Sequence, residues 1–313
     1  MPRPIDIALP DLTGKLAVVS GASDGIGFVI ARRLAGAGAE LVMPVRNPEK
    51  GERAADRIRD HVPGAKITTG ALDLASLTSV AVFGKQIVGA GRPVHILVNN
   101  AGLMNPPSRQ TTQDGFEMQF GTNHLGHFAL THALLPVLRE GAARVVSQTS
   151  VSARNRRGTI NWVDPNWESS YEVNRAYTQS KIANGLFGRE LDARSRAGNW
   201  GITSTLSHPG VSPTNLLAAQ PGLGRERDTL SVRAIRLMSR AGVVGTVESA
   251  ALPALLAATG PESRRGKFFG PKGPGSVGGP PGEQKLWKPL QSMDDARRLW
   301  GLSEELTGLR FPA

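Results

Sequence analysis

The chain contains no cysteine. Disulfides, thiolate nucleophiles and cysteine-based zinc sites are therefore excluded together, and a reducing, cytoplasmic setting is the expectation. Long apolar runs are missing too. No window approaches the roughly 18 residues that a membrane-spanning helix requires. The opening MPRPIDIALPDLTGK is interrupted by Asp6 and Asp11, so a signal peptide is not expected. Aromatic residues are scarce, at 5% of the chain, with only two tyrosines. No RNA-binding or zinc-finger pattern accompanies the formal charge of +11, so nucleic acid is not an expected partner. The charge is read as an arginine-rich surface whose field helps an anionic small molecule arrive.

What is present is alternation. KLAVVSG (15–21), ELVMPVRN (40–47), KITTGALDL (66–74), VHILVNNAG (94–102), ARVVSQTS (143–150) and GITSTLSHPG (201–210) read as strands. Helical patterns lie between them. Ile26, Val29, Ile30, Arg33, Leu34 and Ala37 recur at helical steps, and Asn47 with Pro48 opens the next helix. Pro44 suggests that the second strand is short or ends there. Short, near-continuous apolar strands alternating with helices imply an α/β fold: a doubly wound parallel sheet with helices on both faces. No linker divides residues 1–313, so one domain is expected. A substrate lid is assigned to about 211–245. A C-terminal extension, about 267–313, holds a short last strand, a Gly/Pro-rich loop and a terminal helix over 294–308.

Ligands in such sheets bind at the carboxyl ends of the strands. SGASDGIG (20–27) leaves the first strand and enters the first helix. Gly21 permits the tight turn, Gly25 lets the backbone approach a pyrophosphate, and Gly27 lets helix and strand pack closely. Ser23, Asp24 and Ile26 complete the loop at a helix N-terminus suited to an anion, although the Asp24 carboxylate does not favour a second phosphate nearby. The second strand ends in Arg46-Asn47 where an acidic residue would select NAD, so NADP(H) is expected over NAD(H). Asp73-Leu74 suits an adenine, and Asn100-Ala101-Gly102 provides small residues where ribose and nicotinamide would lie.

Both tyrosines fall in YEVNRAYTQSK (171–181), each with a base four residues on. A cation beside a phenol stabilises the phenolate, which otherwise has a pKa near 10. Tyr177 and Lys181 sit on a helix whose Ile182, Ala183, Leu186 and Phe187 bury one side. Tyr171 reads as a loop residue near the pocket mouth, with Arg175 as its surface partner. Rigid elements hold catalytic geometry better, and a compact ammonium fits beside phenol and ribose more easily than a guanidinium fork. Tyr177 is therefore the acid/base, with Ser150 as the hydroxyl that holds a carbonyl oxygen. Ser152 is the alternative serine. His124 and His127 lack further ligands of suitable type, so no metal site is expected.

Gly21/Gly25/Gly27, Asn99-Asn100-Ala101-Gly102, Asn123, Ser150 and Tyr177-x3-Lys181, in this order, resemble the short-chain dehydrogenase/reductase superfamily. The match runs from about residue 14 to 215. The resemblance implies a Rossmann-type fold, an alcohol or carbonyl substrate, and a homodimer or homotetramer through the long helices. It implies that Tyr177 moves the proton and that Lys181 holds the nicotinamide ribose and lowers the tyrosine pKa. Ser150 orients the carbonyl, and Asn123 completes a water-linked relay. Pro209, Gly210, Val211 and Thr214 match the segment after the sixth strand, with Thr214 one residue late. TNHLGHFALT, AYTQSKIANGLFGREL, HPGV and ARRLWGLSEELTG look like the retinol-dehydrogenase-like branch, for which a lipophilic substrate is implied. Ser20 replaces the usual threonine, and VVSQTS departs from the branch at Ser147 and Thr149. Leu216, Leu217, Leu230, Ile235, Leu237 and Met238 would wall the substrate, with Trp162 and Trp167 beside them. Arg233, Arg236 and Arg240 leave room for a weak peripheral membrane contact. A non-catalytic dinucleotide-binding regulator is the alternative function. Sugar-nucleotide epimerase-type enzymes are disfavoured by the glycine spacing.

Overall fold

In β1, Leu16–Val19, four consecutive apolar side chains are all buried, because β1 lies inside a sheet covered on both faces. The computed structural model describes residues 5–213, 237–239, 244–260 and 265–312. The remaining strands are β2 (Glu40–Val45), β3 (Ile67–Ala71), β4 (Ile96–Asn99), β5 (Arg144–Gln148), β6 (Thr203–Ser207), β7 (Phe268–Pro271) and β8 (Pro281–Gln284). They form one eight-stranded sheet in the order β3-β2-β1-β4-β5-β6-β7-β8. The pairs from β3 to β7 are parallel, as the alternation implied.

Two details differ from the expectation. Pro44 does not end β2: it pairs with Gly70 of β3. Pairing with β1 stops at Val42, and Val45 presents its carbonyl to Leu72 on the β3 side. The missing N–H of Pro44 therefore falls on the β1 side, past the end of that ladder. The Gly/Pro-rich segment after β7 is not only a loop. It folds back as β8, antiparallel to β7.

The helices are α1 (Gly25–Gly36), α2 (Pro48–His61), α3 (Leu77–Gly89), α4 (Met118–Phe120), α5 (Gly126–Ala133), α6 (Leu135–Glu140), α7 (Val173–Ala197), α8 (Val247–Thr259) and α9 (Met293–Thr307). One face of the sheet is sealed by Ile30, Leu34, Ile58, Leu252 and Leu255, and the other by Phe83, Phe128, Leu138, Phe187 and Leu191. Burying each of these side chains contributes about 1.5–3 kcal/mol. That burial on two faces holds the strand ends, and hence the loops beyond them, in register.

The outer side of α7 is covered by the chain's own C-terminal segment. Trp300 of α9 stacks on Phe187 with ring centroids 5.7 Å apart. A Cβ on Gly185 would stand 2.6 Å from a Leu290 methyl carbon, so Leu290 packs directly on the helix backbone there. The tryptophans expected at the substrate belong to packing instead. Trp162 lies under the Arg298 guanidinium, and Trp167, 3% exposed, lies under Arg175. Thr214 and most of the expected lid (Leu216, Leu217, Leu230, Arg233, Ile235, Arg236 and Arg240) lie outside the described residues. Leu237 and Met238 are exposed.

Candidate active site

A cleft of about 960 Å³ runs along the carboxyl ends of β1 to β6, at the point where the chain order reverses between β1 and β4. One end is the glycine loop. Gly21 and Gly25 adopt φ of 69° and 55°, conformations that favour glycine. A Cβ on Gly27 would meet the Gly21 carbonyl oxygen at 2.2 Å. Ser23, Asp24 and Ile26 line the same end. Asp24 caps α1, accepting the Gly25 N–H at 2.7 Å, and its other oxygen receives Lys50 Nζ at 3.0 Å. Lys50 is thereby paired. Arg46 lines the cleft and makes no hydrogen bond or ion pair to another described residue.

Asn47 departs from expectation as a cofactor contact. Its side chain accepts the Lys50 N–H at the start of α2 and lies outside the cleft wall. The N-cap of α2 fixes the Asn47 side chain through its oxygen. Asp73 and Leu74 reach the cleft, where one Asp73 oxygen holds the Ala75 N–H.

The middle of the cleft is tied by polar side chains on strand ends. Asn100, Ala101 and Gly102 line it. Asn100 donates to the Ser20 carbonyl at 2.9 Å and accepts from Gln148 Nε2 at 2.9 Å. Gln148 also accepts from Ser207 Oγ at 2.7 Å, so three neighbouring strands are cross-linked at one level. Thr149 donates to the Lys181 carbonyl at 2.6 Å and anchors α7 to the end of β5. The sequence reading marked Thr149 only as a departure from the branch pattern and passed over Gln148. A polar pair in an otherwise apolar strand was the available signal.

The far wall brings together Ser150, Tyr177 and Lys181. Ser150 caps the 3-10 turn Val151–Arg154, and its Oγ accepts the Ser152 N–H at 3.3 Å. Burial pushes the Tyr177 phenol up to about 12, against a smaller downward pull from the Ser150 hydroxyl. Ser150, not Ser152, faces the phenol; the Ser152 hydroxyl is buried without a hydrogen-bond partner. Burial also brings Lys181 down to about 8. Its Nζ lies 5.8 Å from the Tyr177 ring centroid. The depressed phenol pKa expected from the lysine is not found: desolvation of the phenolate dominates, and the lowering influence on it is the Ser150 hydroxyl.

Tyr171 is placed elsewhere. Its hydroxyl donates to Glu117 at 3.3 Å and accepts from Gln119 Nε2 at 3.2 Å. Burial and then the Glu117 carboxylate push its phenol upwards. Arg175 pairs with Glu172, not with Tyr171. Asn123 sits at a π turn, Gly121–Leu125, behind the cleft wall. Its amide accepts from Leu103 N–H at 2.8 Å and donates to the Leu103 carbonyl and to Ser180 Oγ, each at 3.0 Å. The side chain that the relay expectation placed at the cleft is fully engaged with Leu103 and Ser180. Pro209, Gly210 and Val211 close the cleft beyond β6, where Val211 N–H donates to the Val277 carbonyl at 2.8 Å.

A glycine loop at a helix start, small residues at the β4 exit and a buried Tyr–Lys pair with a facing serine form one continuous cleft. The family model for short chain dehydrogenases matches residues 15–221. The chain belongs to the short-chain dehydrogenase family. This short-chain dehydrogenase is 37% identical to human retinol dehydrogenase 13 over 307 residues, covering 96% of this chain and 87% of the relative. Human retinol dehydrogenase 12 is 36% identical over 305 residues, with 96% and 88% covered. Among solved structures, a protein of Mycobacterium paratuberculosis superposes with a TM-score of 0.77 at 34% identity, covering 97% of both chains. A Beutenbergia cavernae protein described as an NAD(P) dependent gluconate 5-dehydrogenase, with bound NADP, gives 0.61 at 26% identity, covering 80% of this chain and 91% of that one. The enzyme is an alcohol/carbonyl oxidoreductase of the retinol-dehydrogenase-like branch. The cleft fits a nicotinamide dinucleotide: the glycine loop leaves backbone room at one end, and Tyr177 and Lys181 reach the other.

Proposed function

We propose that this dehydrogenase uses NADP(H) in preference to NAD(H) and acts on the alcohol or carbonyl carbon of a lipophilic small molecule, with Tyr177 as acid/base. The carrying observation is one cleft with Arg46 at its nucleotide end and Ser150, Tyr177 and Lys181 at the other. Arg46 has its guanidinium donors available, and a 2′-phosphate is the ligand such a fork suits. Leu103, Met104 and Val151 supply apolar wall beside the phenol. The relatives named retinol dehydrogenases support the same substrate class.

In the reductive direction, Ser150 Oγ donates a hydrogen bond to the substrate carbonyl oxygen. Tyr177, with a pKa near 12, is protonated at neutral pH and donates its phenolic proton as charge develops on that oxygen. Lys181, about 8, is a cation at pH 7 and stabilises the phenolate left behind. The nicotinamide, when bound, supplies or takes the hydride. Asn123 acts by holding Leu103 at the cleft wall.

The test is NADPH- and NADH-coupled turnover of an aldehyde, ketone, retinoid and steroid panel, with Tyr177→Phe as the blank. NADPH should exceed NADH in kcat/KM by about tenfold or more, the worth of one good charge-assisted contact, and Arg46→Ala should remove most of the difference. Equal or better use of NADH defeats the preference.

A cytoplasmic location is proposed from the cysteine-free composition; no described helix is long and apolar enough to cross a membrane. A weak peripheral contact through Arg233, Arg236 and Arg240 predicts co-sedimentation with anionic liposomes at low salt, and its absence removes the idea. For assembly, the dimer or tetramer implied by resemblance meets an α7 face already covered by α9. We propose self-association through another face, readable by sedimentation velocity of wild type and a Trp300→Ala variant. Loss of a wild-type dimer in that variant would return the interface to the α7–α9 side.

A further inference from the structure

His127 lies on α5, fully buried and one turn beyond Asn123, and it lines no part of the cleft. Its two ring nitrogens have different partners. Nδ1 stands 2.9 Å from the Asn123 main-chain carbonyl, and Nε2 stands 2.9 Å from Ser20 Oγ. Burial holds the imidazole at about 4, so the ring is neutral at pH 7 and carries one proton. A carbonyl oxygen only accepts, which assigns that proton to Nδ1. Nε2 then presents a lone pair, and of the two acceptors within reach of the Ser20 hydroxyl, Nε2 at 2.9 Å and the Val98 carbonyl at 3.2 Å, the nearer takes its proton. The serine proton is committed, leaving its oxygen to accept. The acceptor side is used twice: Asn100 N–H and Ala101 N–H both reach Ser20 Oγ at 3.0 Å. The opposite tautomer would set a bare Nδ1 against the Asn123 carbonyl and turn Nε2–H toward a serine oxygen already receiving two donors.

We propose that His127 is a positioning residue of the cofactor cleft, which orients the Ser20 hydroxyl so that it clamps the Asn100–Gly102 wall against the glycine loop. The same ring ties that clamp to the Asn123 carbonyl at the π turn. The clamp bears on tight geometry. A Cβ on Gly21 would stand 2.9 Å from Ala101 Cα, and one on Gly102 would stand 3.2 Å from Lys181 Nζ. A wall that moves outward by a few tenths of an ångström changes the seat of ribose and nicotinamide before it changes the fold.

The inference rests on the reading of the cleft as a dinucleotide site. Wild-type titration with NADPH and NADH comes first, since failure to bind either would defeat that reading and leave the hydrogen-bond assignment standing by its own test. That test is imidazole 15N NMR of the intact protein: one neutral His127 with the proton on Nδ1 across pH 5–8. An Nε2–H tautomer overturns the proposal. The functional test is a double-mutant cycle in His127→Phe and Ser20→Ala, read as cofactor dissociation constant and cofactor KM. Each single variant should weaken cofactor binding about tenfold with kcat changed by less than about threefold, because lost hydrogen bonds act on binding and leave Tyr177 and Lys181 in place. The double variant should be no weaker than the worse single. His127→Gln, which retains one donor and one acceptor, should restore most of the affinity. Additive losses, or an unchanged cofactor KM in His127→Phe, overturn the clamp. If His127→Phe does not fold, Ser20→Ala carries the test alone, and an unchanged cofactor KM in Ser20→Ala overturns the clamp.

Discussion

Tyr171 and Tyr177 are six residues apart, each with a base four positions on, and the fold gives them opposite company. Tyr171 meets the buried Glu117 carboxylate and Gln119. Tyr177 meets Ser150 and the buried Lys181 on the cleft wall. Both phenols are pushed up by burial. A raised pKa therefore does not mark the acid/base. The distinguishing features are access to the cleft and a cation positioned to take over when the proton leaves. A carboxylate beside a phenol opposes that ionisation, and a structural clamp is what remains for Tyr171.

The largest expected effect breaks the comparison directly. Tyr177→Phe should lower kcat by about 10²–10⁴, the range for losing a positioned general acid, while Tyr171→Phe keeps activity within about tenfold. Steady-state kinetics on the same substrate reads both, and the reverse pattern would move the site to Tyr171.

Lys181→Met comes next and separates chemistry from stability. Activity should fall by about 100-fold or more if the ammonium stabilises the phenolate. The cofactor-free variant should nevertheless melt higher than wild type at pH 7, since a buried cation is replaced by an apolar chain. The sign follows from linkage. Burial lowers Lys181 from 10.5 to about 8, so between those values the unfolded chain binds more protons and wild-type stability rises with pH. The advantage of Lys181→Met should narrow across that window. Over the same range, carbonyl reduction by wild type should decline above about pH 8 as the ammonium deprotonates. A pH-independent melting difference would refute the buried-cation account.

The smallest effect concerns the Tyr171 side. Glu117 is fully buried and its carboxyl is pushed up, first by desolvation. A raised carboxyl contributes stability at low pH that is lost as pH climbs through its folded value. Glu117→Gln should therefore melt higher at neutral pH by roughly 2–4 °C, with kcat unchanged. A lower melting temperature would show that the charged form supports the Phe120 N–H bond and the Tyr171 clamp.

Much of the site was legible because chemistry and chain order coincide. The glycine loop, Arg46, Asn100–Gly102, Ser150, Tyr177 and Lys181 all follow strand ends or occupy one helix face, and the cleft collects them. Asn47 carried two readings, helix cap and cofactor contact, and the fold shows its side-chain oxygen on the cap. The relay role of Asn123 came only from the resemblance, and in the fold its amide turns to Leu103 and Ser180. Trp162 and Trp167 look like pocket aromatics until their cation partners, Arg298 and Arg175, are brought over them from elsewhere in the chain or the next helix.

The sequence by itself determined the parallel α/β sheet, the dinucleotide loop and the Tyr–Lys pair, because apolar periodicity and i,i+4 spacing are local properties. Only the tertiary structure decided which groups are desolvated and which partners meet. The Ser20–His127 bond spans 107 positions, and the Ser150 hydroxyl reaches Tyr177 across the 3-10 turn and the loop before α7. Hydrogen-bond partners and pKa shifts depend on distances through space, and those are set by packing on both faces of the sheet.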